Sequence, residues 1–130
     1  MKLLFSIPLL FAASLAQAAS LDAEINHLAQ AWDEVNFTFE GKEKEKALSV
    51  LAEEANALSS EWPSRAEPLI WEGIVLSSWA GAKGGLGALS LVDKARERLL
   101  EAEQIDPKAL KGSLYTSLGS LYYQVPGWPL

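Results

Sequence analysis

The chain has 130 residues, no cysteine and a formal net charge of −6. That length suits a single domain, and the lack of cysteine excludes both a disulfide framework and a multi-cysteine metal site. The acidic balance argues against nucleic acid as a partner, because phosphate binding needs a basic surface.

Residues 1–18 read as a secretory signal peptide. Lys2 precedes an apolar run from Leu3 to Leu15, and Ala16-Gln17-Ala18 has the small-x-small form of a cleavage site. The run is shorter than the roughly 20 residues of a comfortable bilayer crossing, although an uncleaved anchor is the competing reading. Cleavage would leave residues 19–130 as the folded domain, more acidic still without Lys2. No second long apolar run follows, so no stable membrane insertion is expected after cleavage. The expected location is the periplasm or the exterior.

Beyond residue 18, apolar residues recur at spacings of three and four, which predicts helices. Leu21, Ile25, Leu28, Trp32 and Val35 form a first stripe, and Ala47, Leu48, Leu51, Ala55 and Leu58 a second. Leu69, Ile70, Ile74, Leu76, Ser77 and Trp79 give a less regular third. Leu91, Ala95, Leu99 and Ala102 give a fourth, and Leu110, Leu114, Leu118, Leu121 and Val125 a fifth. Gly41, "EWPSRAEP", "GAKGGLGALS" and Asp106-Pro107 separate them. Asp106 is a candidate N-cap, with Pro107 suited to the first turn. Ser90 with Asp93 resembles a capping box for the fourth helix. For the third helix, Ser64 with Glu67 offers a box, while Pro68 serves equally as its first residue. The prediction is an all-α domain.

Tyr115-x2-Leu118-Gly119-x2-Tyr122 resembles the first helix of a tetratricopeptide repeat. In that pattern a helical glycine lets a neighbouring helix approach, and the flanking aromatics fill the adjacent volume. Ala95-x3-Leu99-x2-Ala102-x4-Pro107 resembles the second helix and closing proline of the same repeat. Ile25-x2-Leu28-Ala29-x2-Trp32, Ala47-x3-Leu51 and Trp71-x2-Ile74 match with substitutions, Glu54, Val75 and Ser78 among them. The resemblance implies helix-turn-helix repeats stacked as a short α-solenoid of about two and a half repeats, with "GAKGGLGALS" as an insertion lengthening one unit by about eight residues over the 34-residue period. An ordinary amphipathic bundle is the competing architecture. The resemblance further implies a last repeat cut in mid-repeat, as in a truncated form of a longer protein or one whose exposed face meets another chain, and Leu114, Leu118, Leu121 and Tyr122 are expected to lack full cover. Solenoids usually end in a polar cap, so this end is expected to fray or to self-associate.

The sequence offers little for catalysis. His27 is the only histidine, and no nucleophile-elbow sequence accompanies it. "GAKGGLG" lacks the Gly-Lys-Ser/Thr ending of a phosphate loop and reads as a flexible loop. Glu53-Glu54 and Glu101/Glu103 lie among Lys and Arg, as on solvated helix faces. No catalytic, metal-binding or cofactor-binding residue is expected. Among the five tryptophans, Trp32 and Trp71 fall at repeat core positions, and Trp62 and Trp128 lie beside prolines.

The tetratricopeptide resemblance implies that first helices line a concave groove. Carried onto this chain, its groove positions are Asn26, Gln30, Glu72, Trp79, Ser113, Thr116, Ser120 and Tyr123, a polar and weakly acidic surface with aromatic anchors. The expected function is that of an exported scaffold binding a protein or peptide partner in the cell envelope. The alternative is a small-molecule-binding accessory component of an envelope transport system, which a closed pocket under the glycine-rich loop would favour. A family fold alone names no ligand.

Overall fold

Five helices follow the five apolar stripes. The computed structural model describes residues 7–124, with side chains over 14–121. Helix α1 spans Ile7–Thr38, α2 Gly41–Glu61, α3 Ala66–Lys83, α4 Gly87–Ile105 and α5 Ser113–Gln124, with a short 3-10 turn, Ala109–Gly112, before α5. The described residues contain no strand. Lys2, Val125, Trp128 and the side chains of Tyr122 and Tyr123 lie outside the described residues. Helix α1 runs without a break across Ala18-Ala19, joining the end of the signal-like segment to the first stripe. No described helix is long and apolar enough to cross a membrane.

The helices stack as successive pairs. Helix α2 packs on α1, and α3 lies against both; α4 packs on α3, and α5 lies against both of those. Among the described residues, no helix touches another more than two places away in the chain. This is the nearest-neighbour layout of a helical repeat stack, in which each unit buries its apolar face on the next.

Helix α3 sits at the centre and touches all four others. It therefore buries residues around its whole circumference, including Leu69, Ile70, Val75, Leu76 and Ala80. A helix enclosed on every side has no single apolar stripe, which is why the third stripe is irregular. One core cluster joins Leu21, Ile25 and Leu28 to Leu51, Ala55, Val75 and Leu121. A second joins Ile70, Leu99, Ala102, Leu114 and Leu118.

The connections are tighter than the sequence suggests. "GAKGGLGALS" is mostly helical: α3 continues to Lys83 and α4 begins at Gly87, leaving only Gly84–Leu86 as a turn. Gly84 and Gly85 have φ of +64° and +63°, a left-handed conformation that glycine adopts without a Cβ penalty. The Gly84 N–H closes α3 on the Ala80 carbonyl at 2.9 Å. Ser90 lies inside α4 and caps nothing. At the start of α3 the boundary residue is Arg65, not Ser64, and Pro68 falls in the first turn. Burial pushes the Glu67 carboxyl up, but the two-pronged hydrogen bond from Arg65, 2.9 and 3.3 Å, holds it below its ordinary value. Asp106 is not the cap of α5; its Oδ1 accepts the Lys108 N–H at 2.9 Å. The chain then passes through left-handed Leu110 and Lys111, φ +50° and +55°, before α5 begins.

The close-packed glycine is not the expected one. Gly119 is exposed, and a Cβ there would meet no described atom within 4 Å. Tyr115 is 51% exposed instead of filling a flanking volume. The close approach lies at Gly73 of α3, where a Cβ would sit 2.7 Å from Leu99 Cγ and 3.3 Å from the Ala95 carbonyl oxygen. The last helix is also better covered than expected. Leu114, Leu118 and Leu121 are 0%, 8% and 4% exposed, because their narrow stripe faces α3 and α4 together. These leucines are therefore covered within the chain. Gly73→Ala is predicted to overpack the α3–α4 contact and to destabilise by about 1–3 kcal/mol. Gly119→Ala is predicted to stabilise by about 0.5–1 kcal/mol, as for an open helical site. Urea denaturation of the two variants checks both signs; the opposite ranking would put the close contact at α5.

Candidate functional site

Helices α1, α3 and α5 are the first members of successive pairs, and their side chains meet along one face. There they form an open cleft of about 240 Å³, lined by Trp32, Ile74, Ser77, Ser78, Thr116, Ser117, Ser120 and Leu121. No charged side chain lines it. Its walls are hydroxyls, and Trp32, Ile74 and Leu121 supply the apolar surface.

Each wall is fixed by local chemistry. A partly buried tryptophan needs an acceptor for its N–H, and Trp32 Nε1 donates to Ser78 Oγ at 2.8 Å. Ser78 Oγ in turn donates to the Ile74 carbonyl at 3.0 Å, and Ser77 Oγ donates to the Gly73 carbonyl at 2.7 Å. These bonds to the preceding turn let hydroxyls sit inside a helix. The Trp32 ring meets Trp71 edge to face, with centroids 6.0 Å apart at 70°, a favoured aromatic geometry. Trp32 is thus held from two sides. Thr116, Ser117 and Ser120 stand one turn apart or less on α5, where they face the cleft.

Of the eight groove positions read from the sequence, the cleft takes two, Thr116 and Ser120. Asn26 and Gln30 are exposed on α1 but do not line it. Ser113 Oγ donates to the Leu110 carbonyl at 2.7 Å, so it belongs to the turn before α5. Trp79 is half-buried against the first core cluster, and its Nε1 is buried with no hydrogen-bond partner among the described residues. The Tyr123 side chain lies outside the described residues. Trp32, Ser77, Ser78 and Ser117 were missed as lining residues. The available signal was the Ser77-Ser78 pair within the apolar run from Ile74 to Ala80 of α3, placed where the indole of Trp32 needs an acceptor.

Glu72 is the largest departure. It is not a groove residue, being only 1% exposed. Its Oε1 accepts Asn56 Nδ2 at 3.0 Å and its Oε2 accepts Ser59 Oγ at 2.6 Å, both from α2. Arg98 Nε of α4 lies 3.5 Å from Oε1 as an ion pair, without hydrogen-bond geometry. The Arg98 guanidinium also binds Glu101 at 3.1 Å. With Glu72 withdrawn into the core, the cleft is neutral and not weakly acidic. Glu72→Ala is predicted to cost about 2–4 kcal/mol, because it leaves Asn56 and Ser59 without their acceptor and Arg98 without its buried partner. Equilibrium denaturation measures it; a cost within experimental error would show that the carboxylate is not holding α2, α3 and α4 together.

His27 lies on α1 away from this cleft, between α1 and α2. Among the described residues, no three His, Asp or Glu side chains gather in a metal-ligand arrangement. No protein-family model matches the chain, and no curated protein or solved structure shows a significant match to it.

Proposed function

We propose that the chain is an exported, tetratricopeptide-like scaffold whose inner face binds an uncharged stretch of a protein or peptide partner in the cell envelope. One observation carries the reading: the first helices of two successive pairs and the α5 helix that follows them converge on a single cleft. The hydroxyls of Thr116, Ser117 and Ser120 have no partner among the described residues, and they offer donors and acceptors to a peptide backbone. Trp32, already hydrogen-bonded through its N–H, offers an aromatic surface beside them. At about 240 Å³ the cleft falls below the ~300–1,000 Å³ of typical small-molecule sites, which favours a short stretch of chain passing through an open groove. The role proposed is binding without catalysis, since the one histidine lies on another face. Export rests on the pattern from Lys2 to Ala18. The transport-accessory alternative was tied to a pocket under the glycine-rich segment, and the cleft includes no residue of Gly84–Leu86.

The test places a photo-crosslinking benzophenone residue at Ser120 and, as a control, at exposed Lys94 of α4, with irradiation in intact cells. The expected outcome is a discrete protein adduct from position 120 and none from position 94. Equal adducts from both positions, or none, would overturn the inner-face reading, and an adduct of small-molecule mass would support the alternative.

A further inference from the structure

A second concave surface lies between α1 and α2, on a different face from the inner cleft. Two cavities of about 500 and 570 Å³ run along it and share His27 and Glu54, so they form one continuous groove. On the α1 side the lining extends from Ser20 to Val35, a distance of about 22 Å at 1.5 Å per residue, or roughly four helical turns. The floor is apolar, with Leu28, Leu51 and Leu58 at its base. The walls are kept low by Ala23, Ala31, Ala47 and Ala57, and Val50 stands 50% exposed at the edge.

The stack indicates what shape of occupant this surface takes. The α1–α2 pair receives α3 on one side, and the α3–α4 pair receives α5 in the same manner. The groove is the side of the α1–α2 pair that carries no described helix, and alanine walls allow a helix close approach. Charge decides the rest. Glu24, Glu43, Glu54 and Glu61 border the groove, against a single cation, Lys46. No described helix carries a net positive charge, and the whole chain stands at −6. A second copy therefore brings more negative charge to an acidic rim, and so does an anionic lipid surface.

We propose that the α1–α2 groove is a docking surface for an amphipathic helix of a basic partner, its apolar face on Leu28, Leu51 and Leu58 and its Lys or Arg flanks on the four glutamates. Apolar anchors at helical spacing set in a groove are a general mode of helix recognition, and the charged rim supplies orientation and on-rate.

The experiment uses the full chain and a fluorescent 16-residue synthetic peptide with leucines on one helical face and lysines on the flanks. Two control peptides carry glutamate in place of lysine, or the same residues scrambled. Anisotropy is expected to show saturable binding of the lysine peptide alone, with a gain of helical circular dichroism. The double variant Glu54→Lys/Glu61→Lys is expected to weaken it at least tenfold. Asp93→Lys/Glu97→Lys, with the same change in net charge on exposed α4 positions, is expected to leave it within twofold. Ser120→Trp, which fills the inner cleft, is expected to leave it unchanged, so this result stands or falls apart from the inner-face reading. Absence of binding overturns the proposal. Equal binding of the scrambled peptide, or equal loss in both charge-reversed variants, would reduce the effect to bulk charge and also overturn it.

Discussion

The carboxylate of Glu72 is the point on which the stack depends. It sits in the central helix and is the only acidic side chain that the described core encloses, with partners from the helices on either side. A buried ion pair adds little net stability over an apolar substitute, but losing one partner is costly. Its consequence is therefore geometric. Sliding α2 or α4 by one turn along α3 would carry Asn56, Ser59 or Arg98 out of reach and leave a charge alone in the core. The apolar contacts around it, Leu against Leu and Ala against Ala, discriminate far less between registers. The Gly73–Leu99 contact, one residue along, supplies the steric half of the same constraint, since it fits only where α4 presents Leu99 to a position without a Cβ.

Once that register is set, two unlike surfaces result. The inner cleft is neutral because Glu72 points away from it and its polar lining is hydroxyls, of which Ser77 and Ser78 are bonded to backbone carbonyls and to Trp32. The α1–α2 groove is apolar at its base and acidic at its edge, because α1 and α2 place alanines where they face each other and glutamates where they face water. One small domain thus carries an uncharged concave surface and an acid-rimmed one on separate faces.

Much of this architecture was legible in the residues. Amphipathic spacing located all five helices, since each outer helix has one buried face and writes it as a stripe. The central helix was the least legible for the same reason: buried on every side, it has no stripe to read. Individual roles were less accessible. Gly119 and Gly73 are equally small in sequence, and only the crossing of α3 and α4 makes one of them necessary. Glu72 falls at a groove offset by counting, yet its neighbours on α2 and α4 draw it inward, which is a tertiary effect that periodicity does not carry. The glycine-rich segment looked like a long loop because glycine is a poor helix former, whereas only Gly84–Leu86 leave the helices and the residues on either side continue α3 and α4. The cleft was half-read: Thr116 and Ser120 follow from the repeat offsets, but Trp32 and Ser78 become lining residues only once α1 and α3 lie side by side.

The nearest-neighbour stacking also bears on how the chain reaches this state. Among the described residues every helix contact joins helices one or two places apart, so these contacts need no loop closure over long stretches of chain, and topologies of this kind fold rapidly. Helices α1, α2 and α3 can close on one another without α4 and α5, since their mutual contacts involve neither. Until α4 arrives, however, Glu72 lacks its cation and Gly73 lacks the leucine it accommodates. Arg98 and Leu99 thus supply the ionic and steric contacts that tie α4 to the register of α3.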